Sequence, residues 1–139
     1  MNATALAVVA YGCWMLIQLL LVVMVRGAES MRSGKPLNQF APGGEDVPGL
    51  GHRVTRAHLN SVENIGPFLA VMFAAFMSNQ TAVTDGLAWY VVYARVGQSV
   101  IHMISATLPM VMIRGTLLTV QIGLLLYMAY LLATGAGML

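Results

Sequence analysis

The sequence predicts an all-α integral membrane protein whose four helices cross the bilayer up and down as one bundle. Hydrophobic residues make up 58% of the 139 residues and charged residues only 9%, whereas a soluble domain carries about 25% charged residues. Four stretches are long and apolar enough to cross a hydrocarbon layer of about 30 Å. No stretch alternates between apolar and polar residues as a transmembrane strand does, which favours helices over a barrel.

The four predicted spans fill most of the chain, which we treat as a single transmembrane domain covering residues 1–139. They are residues 4–25, 55–77, 87–106 and 112–133. A helix that rises about 1.5 Å per residue needs about 20 residues to cross the layer, and each stretch has about that length. The first stretch is too long for a signal-peptide core and has no basic segment before it, so we expect it to be a retained helix.

The connections between the spans differ strongly in length. Residues 27–54 form the one long connection, and they include six glycines and three prolines. That density of Gly and Pro predicts an irregular surface loop. The links at 79–85 and 107–111 are short, which predicts helices that are antiparallel neighbours.

The basic residues outside the centres of the spans predict how the chain is oriented in the membrane. Six of them fall on one side of the membrane if the spans are threaded alternately: Arg26, Arg32, Lys35, Arg53, Arg56 and Arg114. Because cytoplasmic loops collect Lys and Arg, we expect the long loop inside and both termini outside the cytoplasm. The net charge of +2 is too small for a surface that follows a nucleic-acid backbone. The single Cys13 excludes an intramolecular disulfide.

Polar residues inside the last three spans form one stripe on each span. The stripes are Arg56, Asn60 and Glu63; Arg95, Gln98, Ser99 and His102; and Arg114 and Gln121. Within each stripe, the later members lie three, four or seven residues after the first, so they share a helical face. A charge at the bilayer centre costs about 2.5–3.5 kcal/mol, so we expect the stripes to face each other and not the lipid.

Glu63 and Arg95 lie at similar predicted depths, about 12 Å and about 16 Å from the cytoplasmic edge, so we expect them to pair. One interpretation is a buried ion pair that fixes helix register. The other is a binding site for an anion, which is favoured because several cations converge on this single acid. Those cations are Arg56, Arg95 and Arg114, joined by Arg26 or Arg32.

Two arginines and the three histidines of the sequence also have interpretations that involve no binding site. Arg56 and Arg114 lie in the first turns of their spans, where basic residues also serve as anchors to lipid headgroups. The three histidines, His52, His58 and His102, lack the close spacing of metal ligands and have no cysteine or carboxylate cluster beside them. We therefore predict no metal site.

The stripes resemble the MAPEG superfamily, the membrane-associated proteins in eicosanoid and glutathione metabolism. The resemblance depends on RAHLNSVEN at 56–64, ARV at 94–96 and IR at 113–114, together with the span count and the long first loop. It implies a homotrimer of four-helix protomers that binds glutathione between neighbouring subunits near the cytoplasmic face. The site residues that it implies are Arg56, His58, Asn60, Glu63, Arg95 and Arg114.

The resemblance also implies a mechanism, in which Arg114 stabilises the glutathione thiolate for attack on a lipophilic electrophile or hydroperoxide. Glutathione carries two carboxylates and one ammonium, which suits several arginines and one glutamate. Eicosanoid-synthesising members carry aromatic hydroxyls where this chain has Gln98 and His102. These two residues are further candidates for contacts with glutathione, and His102 can donate a hydrogen bond in place of a hydroxyl. The short chain resembles the bacterial branch, which implies the inner membrane.

Three functions remain open from the sequence. The first is a glutathione-dependent transferase or peroxidase acting on lipophilic substrates. The second is a non-catalytic trimeric membrane protein that binds a lipid or an anionic metabolite, since the hydroxyls at span three are missing. The third is a small multidrug transporter with an intramembrane glutamate, which the six-to-none distribution of basic residues disfavours.

Overall fold

The computed structural model describes residues 1–135, and within that range the chain is a bundle of helices without strands. This confirms the all-α fold class. The elements are α1 at Ala3–Ser33, a 3₁₀ turn at Leu37–Gln39, α2 at Leu50–Met77, α3 at Thr81–Asp85, α4 at Ala88–Ile104 and α5 at Leu108–Thr134.

Three of these helices, α1, α2 and α5, are long and apolar enough to cross a membrane. The chain is thus an integral membrane protein, and these three helices cover three of the four predicted spans. The predicted span 87–106 corresponds to α4, which has 17 residues and a length of about 26 Å. It is shorter than expected because Ser105 leaves the helix in an extended conformation, with φ −154° and ψ 151°.

The predicted bounds of the irregular loop, 27–54, are wrong at both ends, because helices extend into this segment from each side. Helix α1 continues through Gly27 to Ser33 and ends where Gly34 adopts a left-handed φ of 74° and donates its N–H to the Ser30 carbonyl. A single glycine inside a helix costs only about 1 kcal/mol, which a long helix tolerates. Helix α2 begins at Leu50, so the irregular connection is residues 34–49.

This connection packs closely on the helix ends that it joins. Gly44 has a φ of 76°, and a Cβ there would lie 2.7 Å from the Thr55 Cβ, so only glycine fits. The His52 Nδ1 lies 2.9 Å from the Gly44 carbonyl oxygen. Arg26 on α1 donates from Nη2 to the Ala41 carbonyl at 3.1 Å. The loop is therefore held to both α1 and α2.

A second set of contacts holds the loop to itself. The Asp46 carboxylate accepts a hydrogen bond from the Ala41 N–H at 2.8 Å and pairs with the Lys35 ammonium. The same ammonium lies 5.1 Å from the centroid of the Phe40 ring. The Lys35 ammonium, and after it the Ala41 N–H, hold the pKa of the Asp46 carboxyl below its usual range.

At the opposite end of the bundle, the carboxylate of Asp85, the last residue of α3, binds the start of α1. The Asp85 Oδ1 accepts hydrogen bonds from the Thr4 N–H at 2.8 Å and from the Thr4 hydroxyl at 2.6 Å. The Thr84 hydroxyl lies 2.7 Å from the Thr4 hydroxyl. A carboxylate is favourable here because the first N–H groups of a helix are unpaired and carry partial positive charge.

The apolar core lies in this half of the bundle, away from the loop. Tyr11 and Phe68 stack there with their ring centroids 5.0 Å apart. The other buried core residues are Ala7, Met72, Ala88, Val91, Val92 and Met128, which come from α1, α2, α4 and α5. Because this half is filled with apolar side chains, the polar stripes meet in the half nearer the loop.

Candidate functional site

A cleft with a volume of about 260 Å³ opens between α2, α4 and α5 in the half of the bundle nearer the loop. Its lining residues are Asn60, Gln98, His102, Val111, Arg114, Gly115 and Leu118. Each of the three polar stripes contributes to this lining, so the stripes do face one another. Four of the predicted site residues, Asn60, Gln98, His102 and Arg114, are brought together here.

The electrostatic environment of the cleft is basic. The His102 ring lies close enough to the Arg114 and Arg56 guanidinium groups to interact with their charges. None of the seven lining residues is acidic. A guanidinium remains charged in proteins and can only donate hydrogen bonds, so Arg114 makes this cleft a place for an anionic group.

Arg95 is a predicted site residue that lies behind the cleft, with only 2% of its surface exposed. Its Nη1 donates to the Asn60 Oδ1 at 2.7 Å, whereas its Nε is buried without a partner in the described part of the chain. It interacts electrostatically with the Tyr11 hydroxyl as well. Arg95 thus reaches the cleft only through Asn60.

The predicted pair between Glu63 and Arg95 is wrong within the protomer. Glu63 is exposed, and the ion pairs among residues 1–135 are Arg32 with Glu29 and Lys35 with Asp46. The reason is geometric: a separation of three residues turns a helix by 300°, so Glu63 lies about 60° around α2 from Asn60. Asn60 faces α4 and takes the place of the acid as the partner of Arg95.

A small, partly open cavity of about 50 Å³ lies beside Arg95. Tyr11, Asn64, Arg95 and Gln121 supply its polar lining. The Arg95 Nε and the Gln121 Oε1 are both buried without a partner in the described residues. A polar cavity of this size holds about one or two water molecules, which can satisfy such atoms.

Gln121 belongs to the third stripe, but it was not among the predicted site residues. Its Nε2 donates to the Gln98 Oε1 at 3.0 Å and to the Leu117 carbonyl at 2.9 Å. Both glutamines are buried, with 5% of Gln98 and 2% of Gln121 exposed. The spacing of seven residues from Arg114 places Gln121 on the same face of α5, and this signal could have identified it.

The remaining predicted site residues do not line the cleft. Arg26 is bonded to loop carbonyls, and Arg32 pairs with Glu29 at 2.7 Å while most of its side chain is exposed. Arg56 is exposed on α2 and His58 is half-buried with an unpartnered Nδ1. The structure therefore divides the predicted set into a cleft group and a peripheral group.

Metal binding finds no support in the described residues, where no three His, Cys, Asp or Glu side chains lie together. Arg53, one of the six basic residues predicted on one side of the membrane, donates from Nε to the Met103 carbonyl at 2.8 Å. It thereby satisfies a carbonyl in the last turn of α4, where a positive charge is favourable.

The family described as MAPEG family matches the chain across residues 4–134. This match includes all four long helices and every residue that lines the cleft. Comparison with curated proteins and with solved structures finds no match.

Proposed function

The chain belongs to the MAPEG family, and from that premise we propose that it is a glutathione-dependent membrane transferase or peroxidase that acts on lipophilic electrophiles or hydroperoxides. The observation that carries this proposal is the cleft in which Arg114 meets His102, Gln98 and Asn60 without an acidic residue in the lining. Glutathione offers two carboxylates and a thiol that can ionise, which are the groups that such a cleft can bind.

Arg114 has the catalytic role in this proposal. A free thiol has a pKa near 8.5, so only a small fraction is thiolate at pH 7. A fixed guanidinium beside the sulfur stabilises the negative charge and increases that fraction. The thiolate then displaces a leaving group from an electrophile that arrives from the membrane. With a hydroperoxide, it attacks the terminal oxygen, the O–O bond breaks and an alcohol leaves. A second glutathione then converts the resulting sulfenic acid into the disulfide and water.

The proposed assembly is a homotrimer, and two exposed charges support it. Arg56 and Glu63 are exposed along α2, one of the helices long enough to cross the membrane. Charged side chains within a span avoid lipid and face protein or water. Neighbouring copies would cover them, and Arg56, His58 and Glu63 would then contribute to glutathione binding between protomers.

A second candidate function is a non-catalytic trimer that binds a lipid or an anionic metabolite. The amide of Gln98 and the imidazole of His102 stand where eicosanoid-synthesising members carry aromatic hydroxyls, which favours an activity other than eicosanoid synthesis.

For either function we propose the bacterial inner membrane, with the loop at 34–49 in the cytoplasm and both termini outside it. Arg26 and Lys35 support this orientation, because cytoplasmic loops are rich in basic residues.

Calorimetric titration with glutathione and turnover of a generic aryl halide and a hydroperoxide test this proposal. We expect saturable binding and turnover by the wild-type protein. Arg114→Ala should lower kcat about 100-fold or more, because it removes the group that stabilises the developing charge, and should leave the oligomer intact. Lys35→Ala removes the same charge from the loop and serves as the control.

Three outcomes would change the assignment. A wild-type protein that gives no saturable heat with glutathione does not have the proposed function. Binding without turnover of either substrate indicates the non-catalytic alternative. If Arg114→Ala abolishes the trimer but the remaining protein keeps its turnover, Arg114 has a structural role and the catalytic group lies elsewhere.

A further inference from the structure

The orientation of two side-chain amides next to the cleft follows from a backbone group. The Gln121 amide lies 2.9 Å from the Leu117 carbonyl oxygen, which can only accept a hydrogen bond. The Gln121 atom at that position must therefore be the nitrogen, although amide oxygen and nitrogen are otherwise interchangeable. That nitrogen also lies 3.0 Å from Gln98, so the Gln98 atom facing it must be the oxygen.

This arrangement leaves the side-chain amino group of Gln98 available to donate hydrogen bonds. Gln98 lines the cleft, and its Nε2 makes no hydrogen bond in the described residues. The nitrogen is not fully enclosed, and the cleft that Gln98 lines lies beside it. Gln98 thus offers the cleft an N–H donor and keeps its oxygen away from it.

Asn60 shows the same arrangement on the other side of the cleft. Arg95 can only donate, so the Asn60 atom at 2.7 Å from its Nη1 is the oxygen. The amino group of Asn60 remains for the cleft, which Asn60 also lines. Together with Arg114, the two amides turn donors toward the cleft, and their own oxygens are held by buried groups behind them. His102 is the polar residue of the lining whose ring can also accept a hydrogen bond.

We propose that Gln98 donates a hydrogen bond to the anionic sulfur of the bound thiol, and that Gln121 is a positioning residue that holds the Gln98 amide in the required orientation. This proposal builds on the proposed function. A neutral thiol offers a weak acceptor and a proton that needs an acceptor, whereas a thiolate accepts from every donor around it. The donors that Gln98, Asn60 and Arg114 turn toward the cleft therefore favour the thiolate.

The test compares Gln98→Met, Gln121→Met and the double variant, since Met has nearly the volume of Gln and makes no comparable hydrogen bond. The ultraviolet absorbance of the thiolate is recorded against pH with each protein saturated with glutathione. Gln39→Met, a substitution of an exposed glutamine in the 3₁₀ turn, is the matched control.

We expect Gln98→Met to raise the pH midpoint of thiolate formation by about one unit, which is a tenfold loss of thiolate relative to thiol below the midpoint. Gln121→Met should raise it by a smaller amount. The double variant should equal Gln98→Met, because Gln121 acts through Gln98 and the two effects are not additive. Gln98→Glu keeps an acceptor for Gln121 and places a second carboxylate oxygen in the cleft, so it should lower the thiolate fraction more than tenfold.

Each failure has a different meaning. If the wild-type protein gives no thiolate signal with glutathione, both the proposed function and this inference are wrong. If the wild-type protein forms the thiolate but Gln121→Met leaves the midpoint unchanged, or the two single effects add, Gln121 does not act through Gln98. If Gln121→Met does not fold, an unchanged midpoint in Gln98→Glu overturns the donor role of Gln98.

Discussion

At the scale of single residues, the burial of Arg95 is the feature that most constrains the chemistry. Its guanidinium is 2% exposed, and the hydrogen bond that it makes in the described residues goes to the neutral amide of Asn60. A buried charge is normally compensated by a hydrogen-bonded ion pair, since desolvation costs several kcal/mol. Arg95 therefore orients the Asn60 amide at the cleft, and its burial lowers the stability of the folded protein.

The first prediction concerns the stability of Arg95→Met. Replacing an incompletely paired buried charge by an apolar side chain is often neutral or stabilising. We expect the free energy of unfolding to change by less than about 1 kcal/mol, or to increase, while glutathione binding weakens because Asn60 can rotate. Thermal unfolding in detergent and calorimetric titration measure the two quantities. A loss of about 3–5 kcal/mol would mean that the guanidinium has an anionic partner in the assembled protein.

The sequence predicted which faces meet at this site but not which atoms. Spacing of three and four residues correctly placed Asn60 on the face of α2 that contacts α4. The same spacing could not distinguish Asn60 from Glu63 as the partner of Arg95, because both belong to one broad helical face. Coulomb attraction favoured the acid, whereas the actual rotation of α2 about its axis, set by packing along the whole helix, favoured the amide.

At the scale of elements, the connection 34–49 is ordered by a few polar contacts around Asp46. The carboxylate bonds the Ala41 N–H and the Lys35 ammonium, and Gly44 packs on Thr55. Counting Gly and Pro over 27–54 identified an irregular connection but overestimated its length. The local signals at its ends were the better guide, because Gly34 marks the end of α1 as glycine commonly does.

The second prediction is the pH dependence of this loop. The pKa of the Asp46 carboxyl is below its usual range in the folded protein, so its contribution to stability is fully present above the pKa of the unfolded chain. That contribution is lost as the pH falls through the lowered pKa. We expect protection of the Ala41 amide from hydrogen exchange, corrected for intrinsic rates, to fall in the same range.

The control for this prediction is Asp46→Asn, which keeps an oxygen acceptor near Ala41 but loses the ionisable group. Protection of the Ala41 amide in this variant should be weaker at neutral pH and nearly independent of pH. An identical pH dependence in both proteins would show that another group controls the loop.

The third prediction concerns the start of α1. Asp85→Ala removes the acceptor of two hydrogen bonds from Thr4 and leaves the Thr4 N–H unsatisfied. Since loss of a helix cap costs about 0.5–2 kcal/mol, we expect a decrease of that size in the free energy of unfolding. Asp85→Asn retains an amide oxygen and should lose less. Equal losses in the two variants would show that the charge, and not the acceptor, is what matters.

At the scale of the whole molecule, the protomer leaves two charges of α2 uncovered. Arg56 and Glu63 are exposed although α2 is long and apolar enough to span the membrane. The single chain could not reveal their partners, and this is also why neither the sequence nor the protomer completes the proposed site. In the proposed homotrimer, neighbouring copies would cover these charges.

The fourth prediction tests that assembly. Glu63→Gln preserves the volume of the side chain and removes its charge, so a neighbouring basic group would lose its partner. We expect the Glu63→Gln trimer to dissociate at a lower denaturant concentration than the wild-type trimer, as measured by native mass spectrometry. Glu45→Gln makes the same chemical change at an exposed position in the loop and should have no effect. Equal behaviour of the two variants would place Glu63 outside the subunit contacts.

The short length of α4 affects how small molecules can reach the cleft. At about 26 Å this helix does not match a hydrocarbon layer of about 30 Å. Lipid beside such a flank thins locally, and mismatch of this kind also sorts proteins among membranes of different thickness. If α4 faces lipid, we expect headgroups and water to lie further inward beside it than beside the longer helices. For the proposed function, we expect such thinning to shorten the path of glutathione from the aqueous phase to the cleft.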